Sequence, residues 1–175
     1  MSPQQGFAVW LTGLPASGKS SIARELVKML AEHRVPVVVL ESDRMREILT
    51  PGATYAPGER DWFYEALALL AEHITRNRVN VIIDATANRR AYRDRARALI
   101  PVFIEAYVKC PLEVCMQRDP KGIYNAAASG KTATVPGLQA SYEEPLAPEL
   151  TLDCRAPAAA SARAVLDKLG QLRRV

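Results

Sequence analysis

Eight residues, Gly13-Leu14-Pro15-Ala16-Ser17-Gly18-Lys19-Ser20, constrain this chain more than any other feature, because they fit G-x-x-x-x-G-K-[ST] between an apolar run and a helical pattern. Residues 7–12 (FAVWLT) are short, apolar and followed by glycine, so they read as a buried strand. Residues 20–33 carry Ile22, Leu26, Met29 and Leu30 at helical spacing. A strand that turns through glycines straight into a helix aims backbone N–H groups and the positive end of the helix dipole at one point. Lys19 adds a charge that reaches β/γ-phosphates, the Ser20 hydroxyl suits Mg²⁺, and Ser21 follows in the first helical turn. The loop implies a nucleoside triphosphate with Mg²⁺ and leaves open what receives the phosphoryl group.

The remaining pattern alternates. Residues 35–41, 79–84, 103–109 and 150–153 read as strands, and 43–49, 59–76, 89–100, 111–118 and 161–172 as helices. Residues 129–148 hold several Gly and Pro and little periodicity, which predicts a mobile loop. Such alternation predicts an α/β three-layer fold of the P-loop NTPase type: a mostly parallel sheet of about five strands with helices on both faces. No linker or repeat divides residues 1–175, so one domain is expected. With 49% hydrophobic and 24% charged residues the composition is ordinary for a globular chain. No apolar run approaches the roughly eighteen residues of a membrane span. Met1-Ser2-Pro3-Gln4-Gln5 lacks the layout of a secretory signal, so a soluble, cytoplasmic protein is expected.

A formal net charge of +4 suits anionic ligands without singling out nucleic acid. The densest basic cluster, Arg89, Arg90, Arg93, Arg95 and Arg97, sits at helical spacing and reads as a solvated face. Cys110, Cys115 and Cys154 form no C-x-x-C pair, and their odd number argues against a disulfide framework, so core thiols are expected. No N-K-x-D sequence is present to read guanine, and the size fits a small-molecule kinase better than a GTPase.

Longer strings add to this reading. GLPASGKSSIA, FIEAYVKCPLEVCMQRDPKGIY (103–124) and YEEPLAPELTLD (142–153) resemble the adenylylsulfate kinase family, and the resemblance runs from Val9 to about Asp153. The resemblance implies ATP with Mg²⁺ as cofactors and phosphorylation of the 3′-hydroxyl of adenosine 5′-phosphosulfate, a step of sulfate assimilation. It also implies a lid over about 118–148, with Arg118 near adenine or phosphate and Lys121 beside it. The implied partners are a small-molecule acceptor, no nucleic acid and no membrane, with a homodimer as candidate assembly.

After the second strand the row reads Leu40-Glu41-Ser42-Asp43-Arg44-Met45-Arg46 where the family has L-D-G-D-N-V-R, so Asp43 and Arg46 match. A carboxylate at a strand end can orient or deprotonate an acceptor hydroxyl or hold a Mg²⁺-bound water, and it can also cap the next helix. Lys19, Asp43 and Arg46 are the expected catalytic groups. The family's acceptor motif F-S-P-E-D-R-x-E-N corresponds to residues 55–63: Tyr55 keeps an aromatic ring, Arg60 keeps the cation, and Phe63 replaces Asn. The family's I-S-P-Y becomes Thr86-Ala87-Asn88-Arg89, and Val135 stands where a second ring would complete a purine sandwich. Tyr55, Arg60, Phe63, Val135 and Asp84 are expected at the acceptor. Asp84 closes the run Val81-Ile82-Ile83-Asp84, so a metal role, an acceptor role and a helix cap all remain open for it. Other readings are a kinase for a sugar, nucleoside or antibiotic, a polynucleotide 5′-hydroxyl kinase resting on Asp84 and the arginine-rich helix, and a nucleotide-binding module without turnover.

Overall fold

The computed structural model describes residues 5–132 and 134–172. Most of the N-terminal pentapeptide, Ala133 in the expected lid, and Arg173 to Val175 lie outside the described residues. The order is β1 (Ala8–Thr12), α1 (Lys19–Glu32), β2 (Val37–Glu41), α2 (Ser42–Leu49), α3 (Pro57–Arg76), β3 (Asn80–Asp84), α4 (Arg90–Leu99), β4 (Phe103–Lys109), α5 (Leu112–Arg118), α6 (Ile123–Ala128), β5 (Leu150–Asp153) and α7 (Ala158–Leu172).

The five strands form one sheet in the order β2-β3-β1-β4-β5, and every pairing is parallel. β1 and β3 are buried along their whole length because helices cover both faces, which is why they read as unbroken apolar runs. Alternation still sorts their side chains. Val9, Leu11 and Ile82 enter the core that holds Ile22 and Leu26 of α1 and Val165 of α7. Ala8, Trp10, Val81 and Ile83 enter the core that holds Phe63 and Leu67 of α3 and Ala96 of α4. With β3 on one side of β1 and β4 on the other, the crevice at the carboxyl end of β1 is the topological switch point where such sheets bind ligands.

Three expectations change. α6 falls in a stretch where periodicity showed no element, because its start is set by Asp119, whose carboxylate accepts from the N–H groups of Tyr124 (3.1 Å) and Asn125 (2.9 Å). Cys110 and Cys154 are not separate core thiols: β4 and β5 end side by side, and the two residues form a disulfide with Cα atoms 5.2 Å apart, while Cys115 stays free and buried. The arginines of α4 are not simply a solvated face. Arg93 is 1% exposed and donates to Glu105 (2.6 Å), to the Ala87 carbonyl and to the Glu143 carbonyl (2.7 Å). Arg97 donates to Glu105 (3.0 Å) and Glu149, while Arg95 pairs with Glu65 and Arg89 with Asp61. This network ties the 143–149 segment to β4 and α4.

Candidate active site

The phosphate loop takes its shape from close packing. Gly13 has φ +149°, and a Cβ there would lie 2.5 Å from the Val108 carbonyl oxygen of β4, so no other residue fits without moving the strand. Ala16 sits at φ 62° and Gly18 caps α1 at φ 106°. Lys19 is buried and donates to the carbonyls of Gly13 (3.0 Å) and Leu14 (2.8 Å). Burial lowers its pKa below the usual lysine value, against the fields of Asp84 and Asp43, which favour the charge. A cation held in a dry site by carbonyls alone is prepared for an anion that would neutralise it. The Ser17 hydroxyl in the same loop is buried without a hydrogen-bond partner. An orphaned donor beside a desolvated ammonium fits a phosphate tail, and Ser20 in the first turn of α1 offers the oxygen a Mg²⁺ would need.

The lid residues stand over this loop. Arg118 donates to the Cys154 carbonyl (2.9 Å), and its guanidinium lies beside Gly18. Tyr124 donates to the Pro15 carbonyl (2.9 Å). Gly137, at φ +85°, touches the Leu14 side chain so closely that a Cβ would come within 2.5 Å. Lys121 pairs with Asp43 and lies 3.7 Å from Glu41, and the hydrogen bond to Asp43 raises its pKa. Asp43 thus sits in the first turn of α2 engaged with the lid. No side chain caps α2.

On the other side of the crevice, Arg46 is the centre of an aromatic box. Its guanidinium stands 3.9 Å from the centroid of Phe63 and 4.6 Å from that of Tyr55, with Glu59 at 3.6 Å. Glu59 also accepts from Thr54 N (2.8 Å), Thr54 Oγ1 (2.8 Å) and Tyr55 N (3.1 Å), bonds that hold its carboxyl below the usual pKa. These bonds support Tyr55 at φ 58°, a strained value for a ring-bearing residue. Arg60 donates to the Thr134 carbonyl (2.6 Å) and to Asn88 Oδ1 (3.5 Å). Arg46 Nη1 and Arg60 Nε are buried with no hydrogen-bond partner.

Two expected acceptor contacts are corrected. Phe63 is fully buried, with its ring under Arg46, and Val135 is 4% exposed within the apolar cluster of Tyr124 and Ala127, so neither presents a face to a ligand. Asn88 was missed. Its amide donates to Ser141 O (3.0 Å), its carbonyl accepts from Glu143 N (2.7 Å) and its Oδ1 receives Arg60, which makes it the joint between the β3 loop and the lid. The available signal was its place after a strand end, where the resemblance breaks. Tyr142, whose hydroxyl lies 2.8 Å from Thr12 Oγ1, is a second such joint, and burial pushes its pKa up to about 12. Asp84 is 5% exposed, lies abreast of Leu11 and Glu41 in the sheet, and by alternation faces α1. It is no helix cap, since α4 begins at Arg90 with no side-chain cap.

Comparisons with known proteins bear on the family and the fold. The family model for adenylylsulphate kinase matches residues 5–153. An adenylyl-sulfate kinase of Gloeothece citriformis (strain PCC 7424) is 37% identical over 172 residues, 97% of each chain. The Mycobacterium tuberculosis APS kinase CysC, solved in complex with AMPPNP and APS, superposes with a TM-score of 0.90 at 30% identity, over 96% of this chain and 99% of that one. The hexameric APS kinase from Thiobacillus denitrificans superposes with a TM-score of 0.70 at 29% identity, over 96% of this chain and 29% of that one. The fold is the P-loop kinase fold these proteins share, and the chain belongs to the adenylylsulphate kinase family.

Proposed function

We propose that the chain transfers the γ-phosphoryl group of ATP to the 3′-hydroxyl of adenosine 5′-phosphosulfate. The observation that carries this reading is where the unpartnered buried polar atoms fall. Among the described residues they are Ser17 Oγ in the phosphate loop, and Arg46 Nη1 and Arg60 Nε, whose guanidinium groups share the ring of Tyr55. Buried donors left without partners are costly, so their grouping marks where ligands complete the structure. The Ser17 and Lys19 group fits a triphosphate, and the two arginines fit a second anion such as a phosphosulfate.

In this reading residues 13–21 wrap the β/γ-phosphates, and Arg118 and Lys121 cover the nucleotide from the lid. Ser20 would hold Mg²⁺, which would supply positive charge to the nucleotide phosphates. Arg46 and Arg60 hold the acceptor anion, and Tyr55 lends a ring face to its purine. Asp43 orients the 3′-hydroxyl. As the 3′-oxygen bonds to the γ-phosphorus, the bond to the β,γ-bridging oxygen breaks, ADP leaves, and the hydroxyl proton passes to Asp43 and then to solvent. Tyr124 and Leu14 join lid to loop, so closure excludes the water that would otherwise take the phosphoryl group. The oligomeric relative supports a self-associating protein, and a homodimer is the simplest such assembly. No helix among the described residues is long and apolar enough to cross a membrane.

Purified protein incubated with MgATP and adenosine 5′-phosphosulfate should yield ADP and the 3′-phosphorylated product in equal amounts, resolved by anion-exchange chromatography. No product at millimolar acceptor, alongside turnover of a sugar, a nucleoside or a 5′-hydroxyl oligonucleotide in the same screen, would reject this acceptor.

A further inference from the structure

Of the two arginines beside Tyr55, only one is answered by a carboxylate. Arg46 lies 3.6 Å from Glu59, whereas Arg60, buried at 8% exposure, forms no ion pair among the described residues. Its terminal nitrogens meet neutral oxygens instead. Nη2 donates to the Thr134 carbonyl (2.6 Å) and Nη1 to Asn88 Oδ1 (3.5 Å), while Nε is buried with no hydrogen-bond partner. Neutral acceptors orient a guanidinium without cancelling its charge, so the whole charge stays available to an anion that reaches Nε. A carboxylate in the place of Asn88 would neutralise the group and compete with that anion.

Asn88 holds that orientation from a fixed position. It is 7% exposed, its Nδ2 donates to Ser141 O (3.0 Å), and its own carbonyl accepts from Glu143 N (2.7 Å). The donor end of the amide is thereby committed to the lid, and the oxygen end faces Arg60. At 3.5 Å that contact is long, so it serves to aim the guanidinium rather than to bind it tightly. The residue falls where the family's I-S-P-Y reads Thr86-Ala87-Asn88-Arg89, and the proline of that motif could offer a guanidinium no side-chain oxygen. From these contacts we infer that Asn88 is a positioning residue for the acceptor: it aims Arg60 at the acceptor's anionic group through a neutral contact and ties that aim to the seating of residues 141–143. The inference rests on the acceptor half of the proposed function and adds to it a residue that acts through Arg60.

A double-variant cycle on the full chain tests it, with initial rates at varied ATP and adenosine 5′-phosphosulfate and a melting temperature for each protein. Asn88→Ala should raise the KM for the acceptor about ten-fold, the scale of a hydrogen bond to a charged group, with the KM for ATP little changed. Asn88→Asp keeps the side-chain volume, which guards against misfolding, and sets a carboxylate against Arg60, so it should raise the acceptor KM further. Arg60→Lys should itself raise that KM, and adding Asn88→Ala to it should cost little more, because the two residues act as a unit. A purely structural joint would move both KM values alike and keep its full effect in the lysine background. Either that pattern, or an acceptor KM unchanged in both Asn88 variants, would overturn the inference while the acceptor stands. An Arg60→Lys protein with an unchanged acceptor KM would instead reject the placing of the acceptor at Arg60, and the inference with it. Should another anionic acceptor be turned over in place of adenosine 5′-phosphosulfate, the proposed function falls and the same cycle on that compound upholds or overturns the role of Asn88. A neutral acceptor would overturn both.

Discussion

At the scale of single residues, the site works by holding cations in places where water cannot satisfy them. Arg46 is kept by rings: Phe63 below and Tyr55 above fix its plane, and Glu59 anchors one edge. A desolvated cation–π contact contributes about 2 kcal/mol, so Phe63→Leu, which keeps an apolar side chain but removes the ring, should raise the KM for the acceptor by roughly ten-fold or more. The kcat should change much less, and the KM for ATP should stay put. Initial-rate kinetics with both substrates varied would check this, and equal effects on the two KM values would contradict it. Lys19 makes a second prediction, about pH. Burial lowers its pKa in the free protein, and bound phosphate stabilises the ammonium and raises that pKa again. In the window between the two values nucleotide binding takes up a proton, and affinity falls as pH rises. Calorimetric titration in buffers of different ionisation enthalpy measures the uptake; none across that window would contradict this account of Lys19. The phosphate loop was legible in the sequence because its chemistry is local to eight consecutive residues. The role of Phe63 was not, because an aromatic side chain in a motif position says nothing of which way it points until α2 packs across α3.

Among elements, the strands were the easiest to foresee and the lid the hardest. β4 matches its expected span, since a buried parallel strand shows as an apolar run whatever surrounds it, and the edge strand β5 matches too although Thr151 and Asp153 are exposed. α6 has six residues and its start depends on the Asp119 carboxylate, so no periodic pattern could mark it. Helical spacing alone puts Arg93 on a solvated face, because it cannot reveal that Glu105 waits on the neighbouring strand. The lid meets the phosphate loop where Gly137 lies against Leu14. Gly137→Ala places a Cβ within 2.5 Å of that side chain, at a positive φ of 85°. The left-handed backbone alone costs about 1–2 kcal/mol for a residue with a Cβ. The expected outcome is a lid that seats poorly: a higher KM for ATP and a larger share of ATP hydrolysed without acceptor, with the melting temperature within a few degrees of the original. A coupled ADP assay with and without acceptor would measure that share, and an unchanged share would show that the contact does not govern closure.

For the whole molecule, the sheet and its two cores bring loop, lid and the Arg46 box to one edge, and the disulfide fixes that edge on the β4–β5 side. Cys110 and Cys154 close 44 residues of chain, including the whole lid. Constraining a loop of that size stabilises a fold by about 2–4 kcal/mol. Reduction should then lower the melting temperature by roughly 5–15 °C. The double variant Cys110→Ser, Cys154→Ser should melt at the same temperature with or without reductant, as scanning calorimetry would show. An unaltered protein insensitive to reductant would contradict the pairing. The sequence could not announce it, since two cysteines far apart in the chain meet only when β5 docks beside β4. The same geometry places the Cys154 carbonyl on Arg118, so the bridge also steadies the lid's hinge beside Gly18. The central claim is that one crevice holds two anions, a triphosphate at Ser17 and Lys19 and an acceptor at Arg46 and Arg60. A crystal structure of the full chain with Mg²⁺, AMPPNP and adenosine 5′-phosphosulfate tests it most directly. The account predicts phosphosulfate oxygens within hydrogen-bond distance of Arg46 Nη1 and Arg60 Nε, and phosphate oxygens on Ser17 Oγ and Lys19 Nζ. An acceptor bound elsewhere, with Arg46 Nη1 and Arg60 Nε still without a hydrogen bond, would contradict it.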